Sequence, residues 1–227
     1  MASTSTSSTS SSTFVDLSHT LESGIQVYPG DPSFAIHSVA SVTADGYSVK
    51  AIAMGSHSGT HVDAPSHFFQ DGHPIDALPI SSFIGRALVI DLTAKTPKER
   101  ITWADLASYS ERMQPGVVVL LNTGWPKYWG TPEYFKHPFL ERDAAKRLIA
   151  TGVRALGIDA LNPDETVLHG EPEGGFGVHE VVLGAGGVIV ENLTNLHQLD
   201  GDMMVNFVPL KLSGSDGSPV RAFAWKI

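Results

Sequence analysis

Two short runs do most to fix what this chain can fold into: ALVIDLT at 87–93 and VVVLLNTG at 117–124. Each is almost wholly apolar and ends in polar or glycine residues. A run of that length and composition fits a strand buried on both faces. VRALGIDA (153–160) and GVIVENL (187–193) read as two more strands. Between them, TWADLASYS carries a helix-start signal, with Thr102 as N-cap and Asp105 three residues on. LERDAAKRLIATG predicts a helix whose Leu140, Ala144, Leu148 and Ile149 share a face and which Gly152 ends. A further helical piece is expected at GVHEVVLGAG. FVDLSHTL, SVKAIAMGSH, DMMVNFVPLKL and PVRAFAWKI read as additional strands, the last two separated by the turn SGSDGSP. Strands outnumber helices, so a mixed α/β domain is expected rather than a regular doubly wound sheet.

With 227 residues, 42% of them apolar, one domain with a sizeable core is expected over 14–227. The first thirteen residues, MASTSTSSTSSST, are low-complexity and are expected to be a disordered tail. They lack both the apolar stretch of a signal peptide and the arginines of a transit peptide. No run of about twenty apolar residues is present, so no membrane span is expected and a cytosolic protein is the default. The net charge of −9 gives no electrostatic case for nucleic acid. The chain has no cysteine, which excludes disulfides, thiolate nucleophiles and iron–sulfur ligation. Any metal must be held by imidazole and carboxylate.

The segment GSHSGTHVDAPSHF, 55–68, sets His57, His61, Asp63 and His67 among small residues. A metal site needs several lone pairs converging on one point, about 2.0–2.2 Å away. Close spacing on a turn-rich segment bent at Gly59 and Pro65 lowers the entropy of that convergence, and Asp63 adds charge that neutral imidazoles lack. Further ligands must come from elsewhere; His179, opening a helical piece, and Glu191, emerging from an apolar strand, are the candidates. A carboxylate there is costly unless paired or bound to a cation. His19, His37, His73, His137, His169 and His197 are read as surface or satisfied core residues. Tyr28 and Trp125 are candidates to stack on an aromatic substrate, each with core packing as the alternative; Phe68, Phe69 and Phe176 are equally open.

HSGTHVDAPSHF resembles the His-x-Gly-Thr-His-x-Asp-x-Pro-x-His signature of the metal-dependent cyclase-like hydrolases, which include bacterial-type kynurenine formamidases and isatin hydrolases. DLSHTL, YPGDP, LLNTGW, ALGIDALNPD and HEVVLGAGGVIVENL extend the likeness over nearly the whole chain beyond the tail. Asn162-Pro163 departs from the pattern, since members often carry serine there. The resemblance implies a swivelling β/β/α domain assembled as a dimer or higher oligomer. It implies His57, His61, Asp63, His179 and Glu191 as ligands of one or two ions, Asp63 and Glu191 as bridges, and His67 as general acid/base or ligand of a second ion. Imidazole and carboxylate suit several divalent metals, of which Zn or Mn is favoured here. A bound cation activates water, and His67 protonates the leaving nitrogen, giving hydrolysis of a small, aromatic amide, formamide, lactam or lactone. A metal-dependent lyase, dehydratase or cyclase, and a non-catalytic metal-binding protein, stand as alternatives. A serine hydrolase is disfavoured because His57 occupies the nucleophile position of GSHSG, and a zinc protease because HEVVL lacks a second histidine.

Overall fold

The computed structural model describes residues 14–168 and 175–227; the tail and His169 lie outside the described residues. The strands are β1 Phe14–Asp16, β2 Ala35–Ala40, β3 Val49–Ala53, β4 His61–Asp63, β5 Ile84–Asp91, β6 Arg100–Ile101, β7 Val117–Asn122, β8 Phe139–Leu140, β9 Ala155–Ile158, β10 Val188–Glu191, β11 Met203–Asn206, β12 Gly217–Pro219 and β13 Phe223–Lys226. The α-helices are α1 Val42–Asp45, α2 Trp103–Leu106, α3 Arg142–Ala150 and α4 Gly177–Gly184.

Nine strands form one mixed sheet in the order β1-β13-β11-β5-β7-β9-β10-β4-β12. Its centre, β5-β7-β9-β10, is parallel, and the wings are antiparallel. The parallel strands are those the apolar runs predicted, and the burial explains the runs. On β7, Val119 and Leu121 enter a core shared with Leu106, Ala144, Leu148 and Val182 of the helices. Val118 and Leu120 enter a second core with Leu17, Val190, Val205 and Phe207, to which, among the described residues, no α-helix contributes. Successive side chains of a strand point to opposite faces, so both faces of a two-sided strand must be apolar. Each fully buried aliphatic side chain contributes roughly 1.5–3 kcal/mol.

Three local expectations are revised. The helix after Thr102 has the expected start, with the Thr102 N–H donating to Asp105 at 2.7 Å, yet it runs only to Leu106 before tightening into 3₁₀ turns over Ala107–Arg112. Leu140 precedes α3 on the short strand β8, while Ala144 and Leu148 are buried by α3 as expected. SGSDGSP is more than a turn: Gly217–Pro219 pairs with β4, with Pro219 on an edge strand where a missing N–H is tolerated. Strands β2 and β3 form a separate hairpin, bridged by α1, which buries no residue.

Candidate metal centre

The histidine-rich segment is not a loop throughout. Its middle, His61–Asp63, is the fully buried strand β4, bracketed by Gly59 and by a 3₁₀ turn over Pro65–His67. Alternation along β4 turns Val62 into the second core and puts His61 and Asp63 on the opposite, helix-covered face. The antiparallel register sets Glu191 of β10 against His61. The first turn of α4 brings in His179. Sequence-distant donors therefore meet because two neighbouring strands share a face beneath one helix.

Their geometry is that of a coordination set. His61 Nε2 lies 3.3 Å from Asp63 Oδ1 and 3.4 Å from Glu191 Oε2. His179 Nε2 lies 3.2 Å from Glu191 Oε1 and 3.6 Å from Asp63 Oδ2. The edge of a tetrahedron of ligands around an ion at 2.0–2.1 Å is about 3.3–3.4 Å. His61 Nε2, Asp63 Oδ2 and Glu191 Oε1 are buried and have no hydrogen-bond partner among the described residues. Buried polar atoms left without partners are costly. The residues thus fit a divalent cation.

Each imidazole is fixed by a partner on its outer nitrogen. His61 Nδ1 donates to the Gly59 carbonyl at 2.8 Å. His179 Nδ1 donates to Asp164 at 2.7 Å, and Asp164 also accepts from the backbone N–H groups of Val178 and His179, capping α4. His57 is held on both sides, by Asp63 at 2.8 Å through Nδ1 and by Asp216 at 2.9 Å through Nε2. Such outer partners set which nitrogen faces a metal. Gly59 combines a left-handed backbone (φ 62°) with a site where a Cβ would collide with Leu21. Its carbonyl also accepts from Asn192, whose side chain receives the buried Tyr134 hydroxyl at 2.9 Å.

The charges act together. Burial pushes His57 and His61 down, but the charge of Asp63, with carboxylates bonded to His57 and closely facing His61, outweighs it and lifts them to about 9 and about 10. Burial likewise pushes Asp63 up, and the His61 and His57 charges bring it well below the usual carboxylate range. The carboxylates draw positive charge into the site, as protons or as a cation.

His67 and its neighbours line a cavity of about 400 Å³ whose walls include Tyr28, Phe68 and Phe176, with His61, His179 and Glu191 beneath. The rings of Phe68 and Phe176 meet edge-on with centroids 5.7 Å apart, and Phe68 stacks on His179 at 4.8 Å. Asn162, the departure noted in the sequence, also lines the cavity. Trp125 does not. It is 2% exposed in the helix-side core, and its indole N–H donates to the Tyr134 carbonyl at 3.1 Å. It is a packing residue, because the strand-end Gly124 turns it inward beneath Tyr128. Phe69 is outside the lining and exposed. His137 is a satisfied core histidine, bonded to Pro138 and Thr166, and His19 is half-buried, stacked on Trp129 at 4.0 Å. His37, His73 and His197 are exposed.

Sequence reasoning missed Asp164 and Asp216. The first sat unremarked in a quoted stretch, and the second lay in a segment read only as a turn. Neither has a spacing signal, because each reaches its histidine through the fold, 15 and 159 residues away.

Among curated proteins, kynurenine formamidase from Bacillus cereus is 32% identical over 214 residues, covering 93% of this chain and 96% of that protein. The solved structure of isatin hydrolase A from Labrenzia aggregata superposes with a TM-score of 0.84 at 26% identity, covering 94% of this chain and 93% of that one. A structure described as a "predicted metal-dependent hydrolase from Bacillus stearothermophilus" matches with a TM-score of 0.76 at 27% identity, covering 94% and 98%. The family model for cyclases, described as "Putative cyclase", matches residues 15–165. With that match covering more than half of the chain, and a relative 32% identical over 93% of it, the chain belongs to the cyclase family of metal-dependent hydrolases.

Proposed function

We propose that this chain is a metal-dependent hydrolase cleaving the carbon–nitrogen bond of a small aromatic formamide, amide or lactam, or the ester bond of a lactone. One observation carries the reading. Nitrogen and carboxylate donors of His61, Asp63, His179 and Glu191 converge at 3.2–3.6 Å beneath an aromatic-walled cavity that also holds an imidazole, His67. Likeness to a kynurenine formamidase and to isatin hydrolase A supports it. His57, His61, Asp63, His179 and Glu191 would hold a divalent cation, Zn or Mn, which would supply Lewis acidity and an acidified water with a pKa of about 7. Two overlapping donor sets, His57-His61-Asp63 and Asp63-His179-Glu191, share Asp63 and suit one ion or two.

The chain's own groups do the rest. Tyr28, Phe68 and Phe176 hold a planar ring against the apolar wall and keep solvent away from it. His67 accepts a proton from the attacking water and delivers one to the leaving nitrogen. A lyase reading of the same site is distinguished by product mass, since hydrolysis adds one water. A silent metal-binding role leaves no use for an imidazole open to the cavity.

The assembly is a homodimer or higher homo-oligomer. The β2–β3 hairpin supports this, with Val39 64%, Val42 68%, Tyr47 61% and Ile52 58% exposed, a density of apolar surface that a second copy would cover.

Purified chain, stripped with a chelator and reloaded with Zn or Mn, is assayed on N-formyl-aryl and isatin-like substrates. The expected results are loss and recovery of turnover, and its abolition by His67→Ala with metal content intact. Full activity in the chelated protein would refute the reading.

A further inference from the structure

Asp216 stands immediately before β12, and its carboxylate oxygen Oδ2 does two things at once. It accepts from His57 Nε2 at 2.9 Å and from His67 Nδ1 at 3.2 Å. The two rings lie against each other with centroids 4.1 Å apart, tilted by 37°. The carboxylate is tied by its own backbone, whose carbonyl accepts from the Ala64 N–H at 2.9 Å, so β12 is fastened to the strand that carries the candidate ligands. Gly217 lets this happen: a Cβ there would stand 2.9 Å from His57 Cε1 and 3.0 Å from the Val62 carbonyl oxygen.

We propose that Asp216 is the positioning residue for proton transfer in this site, holding His67 as the tautomer protonated on Nδ1 and turning Nε2 toward the substrate. The inference rests on the hydrolase reading and goes beyond it. With Nδ1 engaged, Nε2 is the only ring nitrogen of His67 left to the cavity that the ring lines. A neutral imidazole has one donor and one acceptor nitrogen, and the hydrogen bond made by one decides the role of the other. In the step served, water oxygen bonds to the carbonyl carbon and gives one proton to Nε2. The carbon–nitrogen bond then breaks, its electron pair stays on nitrogen, and Nε2 returns the proton there. One water is consumed, and His67 ends as it began.

The orientation makes a prediction that a merely structural role does not. A leaving amine needs the proton, whereas a nitrophenolate leaves without one. Asp216→Asn, assayed with metal in excess so that the site stays loaded, is therefore expected to lower kcat on an N-formyl-aryl substrate by about tenfold or more, part of the roughly 10²–10⁴-fold that general acid–base catalysis supplies, with KM held. The p-nitrophenyl ester of the corresponding acid, which needs His67 only to take the water proton and not to return it, should lose less. Asp216→Glu, its side chain in a partly exposed turn, should recover most of the loss. Nitrogen NMR of the wild-type protein should show His67 protonated on Nδ1, and Asp216→Asn should shift that signal. Equal losses on amide and ester, an amide loss that excess metal restores in full, or a His67 protonated on Nε2 would each overturn the proposal while leaving the hydrolase reading standing. A wild-type chain that turns over neither substrate overturns both.

Discussion

Replacing Asp164 by Asn changes one atom and sets two requirements against each other. The carboxylate accepts from the Val178 N–H at 2.8 Å on one oxygen, and from the His179 N–H at 3.1 Å and His179 Nδ1 at 2.7 Å on the other. Asparagine offers one acceptor and one donor. If its oxygen faces Val178, its amide N–H₂ confronts two donors of His179, and the ring is driven to carry its proton on Nε2, where it points at Asp63 and Glu191 and blocks the lone pair a metal needs. If the amide flips, the helix N-terminus loses its acceptor. That second arrangement strands the Val178 N–H, and in either one the His179 ring loses the carboxylate charge behind it. Loss of an outer partner to a ligating histidine typically lowers metal affinity by about 10- to 100-fold, which corresponds to about 1.4–2.7 kcal/mol. The account therefore predicts that Asp164→Asn weakens Zn affinity by that factor in competition titrations, with only a small drop in metal-free stability by thermal unfolding. An unchanged affinity would refute the claim that His179 Nε2 faces the ion.

His137 gives a pH dependence outside the site. Burial pushes it from 6.5 to about 4, so the unfolded chain takes up its proton first as pH falls, and stability is lost between 6.5 and 4. Going from pH 7 to 5 should cost about 2 kcal/mol from this group; His137→Gln should remove that part of the slope in denaturant titrations, and an unaltered slope would exclude it. Phe68→Ala should raise KM for aryl substrates severalfold, whereas Trp125→Phe should leave KM alone and lower stability by about 1–3 kcal/mol by stranding the Tyr134 carbonyl; the reverse pattern in paired kinetics and unfolding would return Trp125 to the pocket. Gly217→Ala should displace His57 and lower kcat/KM with the fold retained by circular dichroism; wild-type kinetics would show that β12 does not fix that ring.

The parallel centre of the sheet was legible because β7, β9 and β10 are buried on both faces, and β5 pairs with β7 through its own apolar Ala87–Ile90 run. The ligand candidates were legible for a related reason: Glu191 ends such a strand, and His61 and Asp63 share one face of another. What could not be read was how the segments pack. β4 is three residues long and flanked by Ser, Gly and Pro, so its local chemistry says turn, and only pairing to β10 and β12 makes it a strand. Asp216 and Asp164 are ordinary turn acids until tertiary structure sets them against imidazoles. Trp125 failed in the other direction. An aromatic just after a strand can face a cleft or the core, and the backbone at Gly124 decides it.

The most direct measurement is an anomalous difference map from crystals of the Zn- or Mn-loaded protein. The account predicts a peak within about 2.0–2.2 Å of donors from Asp63, His179 and Glu191, beside His61. A peak confined to His57, His67 and Asp216, or His179 and Glu191 found bonded elsewhere with no peak between them, would contradict it.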